Sequence, residues 1–153
     1  ILMRYPEILL TYAEAKIELN QIDATVTNAI NLVRLRAGQP VVTAGSQAQL
    51  RQIVRRERAV EFAGEGLRLY DLRRWDLVVS AMNGPVIGAA KNPADVPATP
   101  IFNNDDFLDY SNSLSKRIAT RAQTRNNTPK HKLWPIPQGE LDKDKNLTQN
   151  PLW

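Results

Sequence analysis

Apolar residues recur every three or four positions through the first half of the chain, and their spacing predicts four helices. Pro6 suits the first turn of the first, and Ile8, Tyr12, Ala15 and Leu19 follow on one strip. Leu9, Leu10, Ala13 and Ile17 make a second apolar strip, leaving Thr11, Glu14 and Glu18 as the polar sector. A helix apolar over so much of its circumference expects neighbours on two sides. The second helix is placed from Thr25, read as its N-cap, to about Ala37, with Gly38 and Pro40 as stop signals. Val26, Ala29, Ile30, Val33 and Ala37 form its main stripe, while Leu32 and Leu35 look the other way. Ser46 followed by Gln49 has the spacing of a capping box and opens a third helix through about Ala63. A fourth is predicted over Leu67–Met82, with Arg68, Leu72, Trp75 and Val79 on one face.

After Met82 the period is lost. Residues 83–132 hold five of the ten prolines and much Asn, yet Ile101, Phe102, Phe107, Leu108 and Tyr110 give this stretch something to bury, so it reads as a long surface excursion. Trp134-Pro-Ile-Pro137 is extended, and a short helical turn starts at Pro137. The fold class is therefore all-α: helical hairpins of tetratricopeptide-like dimensions in a core over 5–82, an irregular excursion over 83–132, and an extended C-terminal strap over 133–153.

Composition narrows the chemistry. The chain has 153 residues, a length that suits one domain with its own core. No cysteine is present, which removes disulfides, thiolate metal sites and cysteine nucleophiles together. His131 is the single histidine, so His-pair zinc sites and a Ser–His–Asp arrangement find no support. No apolar run reaches the roughly 18 residues of a membrane-spanning helix. The formal charge is +4. Lys116, Arg117, Arg121, Arg125, Lys130 and Lys132 lie in a stretch without acids, but no recognition motif accompanies them, and a solvated loop or a surface facing an acidic partner is favoured over nucleic-acid binding. Asp142-x-Asp144-x-Asn146 opens like a calcium loop, but Leu147 stands where the sharp-turn glycine belongs and Trp153 where the last glutamate belongs. No metal and no cofactor is expected. Ile1-Leu2-Met3-Arg4-Tyr5-Pro6 resembles neither a signal peptide nor an ordinary translation start, and a piece of a longer protein is expected.

The third helix carries its charges in an unusual place. Glu57 and Glu61 fall in the middle of the apolar stripe set by Leu50, Ile53 and Val54, where an unpaired carboxylate is very costly. Arg34 and Arg36 flank the stripe of the second helix, and Arg58, Arg68, Arg73 and Arg74 are near in sequence. Two readings compete. Paired acids serve glycoside hydrolysis, but only in a cleft with room for substrate. A buried Arg–Glu network that fixes helix packing fits the surrounding core-type residues better. On that reading Glu61→Ala costs roughly 3–5 kcal/mol.

Tyr12-Ala-Glu-Ala15, Asn31-Leu-Val-Arg-Leu-Arg-Ala-Gly38, Arg56-Glu-Arg-Ala-Val-Glu-Phe-Ala-Gly-Glu-Gly66 and Arg68-Leu-Tyr-Asp-Leu-Arg-Arg-Trp75 occur in one order. Leu133-Trp-Pro-Ile-Pro137, Glu140 and Thr148-Gln-Asn-Pro151 follow them. This series resembles the C-terminal part of the RagB/SusD family of outer-membrane nutrient-binding lipoproteins of Bacteroidetes, over nearly the whole chain except 83–130. The resemblance implies tetratricopeptide-like helix pairs and a non-catalytic protein that captures oligosaccharides or other nutrients at the cell surface. It implies a SusC-like TonB-dependent transporter as partner, and a lipid anchor on an N-terminal part outside this chain as the one attachment to the membrane. It assigns Asp71, with Arg74 and Trp75, to the scaffold, so Glu57, Glu61, Arg34, Arg36, Arg68, Asp71 and Arg74 are read as one structural ion-pair network.

Sugar recognition needs aromatic platforms beside planar polar side chains. The excursion offers both in Phe102, Asn104, Asp105, Asp106, Phe107 and Tyr110, the candidate ligand residues. The alternative is a helical-repeat adaptor whose partner is another protein and which has no small ligand. An apolar strip of the kind Leu9, Ala13 and Ile17 make seldom stays open on a soluble monomer, so self-association of this chain is expected.

Overall fold

The computed structural model describes residues 3–85 and 124–153, and the described elements are almost entirely helical. Two compact units divide them, the first running to Arg68 and the second from Leu69 onward.

The first unit is built on α1 (Tyr5–Glu18), α2 (Ala24–Arg36) and α3 (Gln47–Glu61), with α1 packed against both others. Pro6 sits in the first turn of α1, where its missing N–H costs nothing. The N-cap of α2 is Asp23 and not Thr25: the Asp23 carboxylate accepts from the Thr25 backbone N–H, and Thr25 is the second residue of the helix. The carboxylate also binds Lys16 from α1, which donates to Thr25 Oγ1 as well at 2.9 Å. Lys16, and then Thr25, hold the Asp23 carboxyl down from 3.8 to about 2. A depressed carboxyl contributes stability above its ordinary pKa and loses it as pH falls through the folded value. Asp23→Asn is therefore expected to lower Tm at neutral pH, with the two melting curves converging as pH approaches 2. Equal Tm values at neutral pH would contradict this.

Beyond α2, Gly38 takes a left-handed φ of 67°, and the Gln39 N–H returns to the Arg34 carbonyl at 2.9 Å, closing the helix. The chain from 39 to 45 then runs without regular structure, pinned by Asn31. The Asn31 amide donates to the Val42 carbonyl at 2.9 Å and accepts from the Val42 N–H at 2.8 Å. Ser46 and Gln49 form the reciprocal capping box that opens α3. Leu10, Ala13 and Ile17 of α1, Val26, Ile30 and Val33 of α2, and Leu50 and Val54 of α3 fill one core, closed by Phe62.

Of the two apolar strips on α1, the one containing Ala13 and Ile17 is the buried one. The strip expected to stay open is thus wrong in its residues: Tyr5, Ile8, Tyr12 and Leu19 face outward instead, as do Leu32 and Leu35 on α2. Glu14 also departs from expectation, being buried.

In the second unit the single helix expected over Leu67–Met82 is broken. α4 (Arg68–Arg74), which begins one residue before the unit boundary, ends where Asp76 adopts φ 60°, and α5 (Val78–Ala81) follows. The Leu77 N–H closes back on the Leu72 carbonyl at 2.8 Å. Aspartate tolerates this left-handed conformation better than most residues, so a polar residue between Trp75 and Leu77 becomes a stop. Gly84–Pro85 and Thr124–Arg125 form a short antiparallel pair, β1 and β2. Asn83 and Asn127 lock it, the Asn83 amide donating to the Asn127 carbonyl at 2.8 Å and accepting from the Asn127 N–H at 2.5 Å. A 3-10 turn (Pro129–Lys132), an extended stretch and α6 (Gln138–Lys143) complete the chain, Pro137 being the N-cap of α6.

Candidate functional site

α1 and α3 run antiparallel, and their facing surfaces are charged. Thr11, Glu14 and Glu18 on α1 share the spacing of Arg51, Arg55 and Arg58 on α3, so the two rows meet in register. Arg58 Nη1 donates to Thr11 Oγ1 at 3.1 Å, and its Nε lies 3.7 Å from Glu14 Oε2. Arg51 grips both Glu18 oxygens at 2.7 Å, an arrangement that raises the pKa of its guanidinium. Arg55 approaches the same carboxylate at 3.9 Å. Of the polar sector of α1, Glu14 is thus buried against α3, while Thr11 and Glu18 reach across to it from exposed positions.

A second set of ion pairs ties α2 and the start of α1 to the end of α3. Glu57 is buried and accepts from Arg34 Nη1 at 2.6 Å, while Arg34 Nε donates to the Pro40 carbonyl at 2.7 Å. Glu61 is taken on both oxygens, by Arg4 Nη1 at 2.8 Å and by Arg36 Nη2 at 2.6 Å. Arg4 also holds Glu65 at 2.5 and 3.1 Å, and Glu65 and then Glu61 raise its pKa well above the ordinary value. Arg4 and Arg58 both lie against the ring of Phe62, at 5.4 and 5.3 Å.

Neither Glu57 nor Glu61 borders the groove of about 260 Å³ on α3, which is lined by Ala44, Gln49, Gln52, Ile53 and Arg56. With Glu61 saturated by two guanidiniums and Glu57 held by a third, both oxygens of one acid and one of the other are committed to packing. Arg68 opens α4 and is half-buried. Within the second unit Asp71 is buried and accepts from Arg74 at 2.9 and 2.8 Å, and Arg74 lies over Trp75 at 4.8 Å. Phe102, Asn104, Asp105, Asp106, Phe107 and Tyr110 lie outside the described residues.

The strap is held by amides. Gln149 pairs with both backbone groups of Ile136, accepting from its N–H at 2.8 Å and donating to its carbonyl at 2.9 Å, and the Asn150 amide donates to the Trp134 carbonyl at 2.6 Å. Trp153 Nε1 donates to the carbonyls of Lys130 and Leu133 at 2.9 and 3.2 Å. Pro135 and Pro137 carry no N–H, so side-chain amides take the place of a pairing strand. Asp142 and Asp144 are occupied locally, Asp142 accepting from Gln138 at 2.8 Å and Asp144 from the Asn146 N–H at 2.9 Å. No group of three acids or histidines suited to a metal occurs among the described residues.

Sequence reasoning misses Arg4, Glu14, Arg51 and Glu65 as members of these pairs. For Glu14, Glu18, Arg51 and Arg58 the signal exists in the matching spacing of two rows of opposite charge. Arg4 carries none, because nothing in its neighbourhood announces residues 61 and 65.

The model of the SusD family matches residues 1–153. The fold is similar to a SusD-like protein from Bacteroides fragilis at 29% identity and TM-score 0.74, covering 100% of this chain and 26% of that one. It is also similar to a SusD-like carbohydrate-binding protein from Bacteroides fragilis at 32% identity and TM-score 0.72, covering 95% of this chain and 28% of that one. The chain thus spans about a quarter of the length of the structures it matches. The comparison with curated proteins gave no match.

Proposed function

The chain belongs to the SusD family, and from that premise we infer that it is part of a non-catalytic glycan- or nutrient-binding component of an outer-membrane uptake system. The observation that carries this reading is the family match over the whole chain, beside a similar structure described as a SusD-like carbohydrate-binding protein. On this reading residues 1–153 are the C-terminal domain of a surface lipoprotein, anchored through a part of the protein outside them. Its partner is a SusC-like TonB-dependent transporter, which imports what the lipoprotein captures. Capture needs no turnover, and the commitment of Glu57 and Glu61 to guanidiniums accords with a scaffold role for both.

Phe102, Asn104, Asp105, Asp106, Phe107 and Tyr110 are the proposed contribution of this chain to the ligand surface. Calorimetric titration with a panel of neutral oligosaccharides tests it. Binding is expected to be weak, to yield no cleavage product, and to fall by about tenfold in Phe107→Ala or Tyr110→Ala, the loss of one stacking platform. A full-strength site that ignores both substitutions would place recognition elsewhere, and product that vanishes in Glu57→Gln would make the protein an enzyme.

A helical adaptor without a small ligand is the second reading. The outward strip of Tyr5, Ile8, Tyr12 and Leu19 favours it, since such a face suits a protein contact.

A further inference from the structure

Two of the three tryptophans stand at the surface of the second unit, each against a cation. Arg73 of α4 lies over the Trp134 ring at 4.0 Å, and Lys130 lies over the Trp153 ring at 4.4 Å. Trp134 nevertheless remains 62% exposed and Trp153 43%. A planar ring covered on one face by a cation and still so accessible presents its other face to solvent. The two rings belong to one patch, because the Trp153 indole N–H reaches the carbonyl of Leu133, the residue before Trp134. The ring of His131 meets Trp153 edge-on at 5.6 Å.

The rings are held rather than free. Arg73 Nη2 donates to the His131 carbonyl at 3.3 Å, tying α4 to the 3-10 turn, and the Trp153 N–H is shared between the carbonyls of Lys130 in that turn and Leu133 just after it. Rings fixed in this way lose little entropy when a ligand settles on them.

The cations are unusual in what they lack. Lys132 beside them is paired with Asp76 at 2.6 Å. Arg73 and Lys130 make no ion pair among the described residues, and Arg73 Nε is buried without an acceptor. A guanidinium and an ammonium over two open indoles, neither ion-paired among the described residues, form a platform for a sugar ring bearing a negative charge at its edge. The ring's C–H face fits the indole, and an overhanging carboxylate meets the cation.

We propose that Trp134 with Arg73, and Trp153 with Lys130, form a binding surface for acidic saccharides of the uronic-acid class. A surface chosen for an acidic peptide would need the charges but not the open rings.

Native affinity electrophoresis of the full chain through gels containing polygalacturonate tests this, with dextran as the uncharged control and polyglutamate as the acidic control without sugar rings. Polygalacturonate is expected to retard the chain at low salt, more strongly than polyglutamate, while dextran does not. Arg73→Gln and Lys130→Gln are each expected to weaken retardation about tenfold, the loss of one charge-assisted contact. Trp134→Ala and Trp153→Ala, which leave the charge unchanged, are expected to do the same. Lys143→Gln removes the same charge from an exposed pair with Glu140 and is expected to change little. Retardation by polyglutamate equal to that by polygalacturonate would overturn the proposal in favour of an acidic protein partner. So would equal losses in Lys143→Gln and Lys130→Gln, or retardation untouched by both glutamine substitutions, neither of which depends on the tryptophan variants folding.

Discussion

Arg58→Ala is expected to destabilise the fold by about 3–5 kcal/mol, the range for removing one partner of a buried ion pair. Arg58 and Glu14 are each 5% exposed, so the substitution leaves a carboxylate in the core instead of at a surface where water replaces the lost partner. It also removes the contact with Thr11 and the guanidinium that lies against Phe62. A Glu14→Leu, Arg58→Met double variant is expected to recover most of the loss, because an apolar pair of similar volume carries no desolvation cost. Glu61→Ala gives the contrast. The sequence alone places a cost of roughly 3–5 kcal/mol there. The partners of Glu61, however, are 31% exposed in Arg4 and 60% in Arg36, and water reaches both once the carboxylate is gone. A smaller loss of about 1–2 kcal/mol follows. Urea midpoints of the four chains decide the matter. If Arg58→Ala matched wild type, or Glu61→Ala cost more, the seam between α1 and α3 would not be where the charges matter most.

The positions of these helices are legible because local signals mark them: the Ser46–Gln49 box, Gly38, and the periodic stripes of α2 and α3. Glu57 is legible for the same reason, since a carboxylate among Leu50, Ile53 and Val54 has nowhere to go but into an ion pair. The end of α4 is not. The backbone of Asp76 reverses hand between Trp75 and Leu77, and the helical period of Leu72, Trp75 and Val79 runs across it undisturbed. Tertiary pairings are less visible still. Asn31 with Val42, Gln149 with Ile136 and Arg4 with Glu61 join residues 11, 13 and 57 positions apart, and none has a periodic signature. The motif Thr148-Gln-Asn-Pro151 can be recognised in the sequence, whereas its work of fastening the strap appears only when the amides are seen on the carbonyls of Trp134 and Ile136. The platform at Trp134 and Trp153 is hidden for the same reason, because Arg73 and Trp134 are distant in sequence and meet through the fold.

Helical spacing also cannot rank two apolar strips on one helix, and α1 supplies the sharpest test of which strip the core uses. Ile17→Ala is expected to cost about 2–5 kcal/mol, the range for truncating a buried isoleucine. Ile17 is fully buried, its side chain sits with Val26, Ile30 and Leu50, and its carbonyl accepts from Gln47 Nε2 at 2.7 Å at the start of α3. A cavity there touches all three helices, which cannot close in on it together. Ile8→Ala, nine residues away on the outward strip, removes a side chain that is 51% exposed and is expected to stay within about 0.5–1 kcal/mol. Denaturation at two protein concentrations checks both values. If Ile8→Ala cost as much as Ile17→Ala, the outward strip would be covered in solution. A midpoint that rises with concentration would then identify the cover as a second copy of the chain.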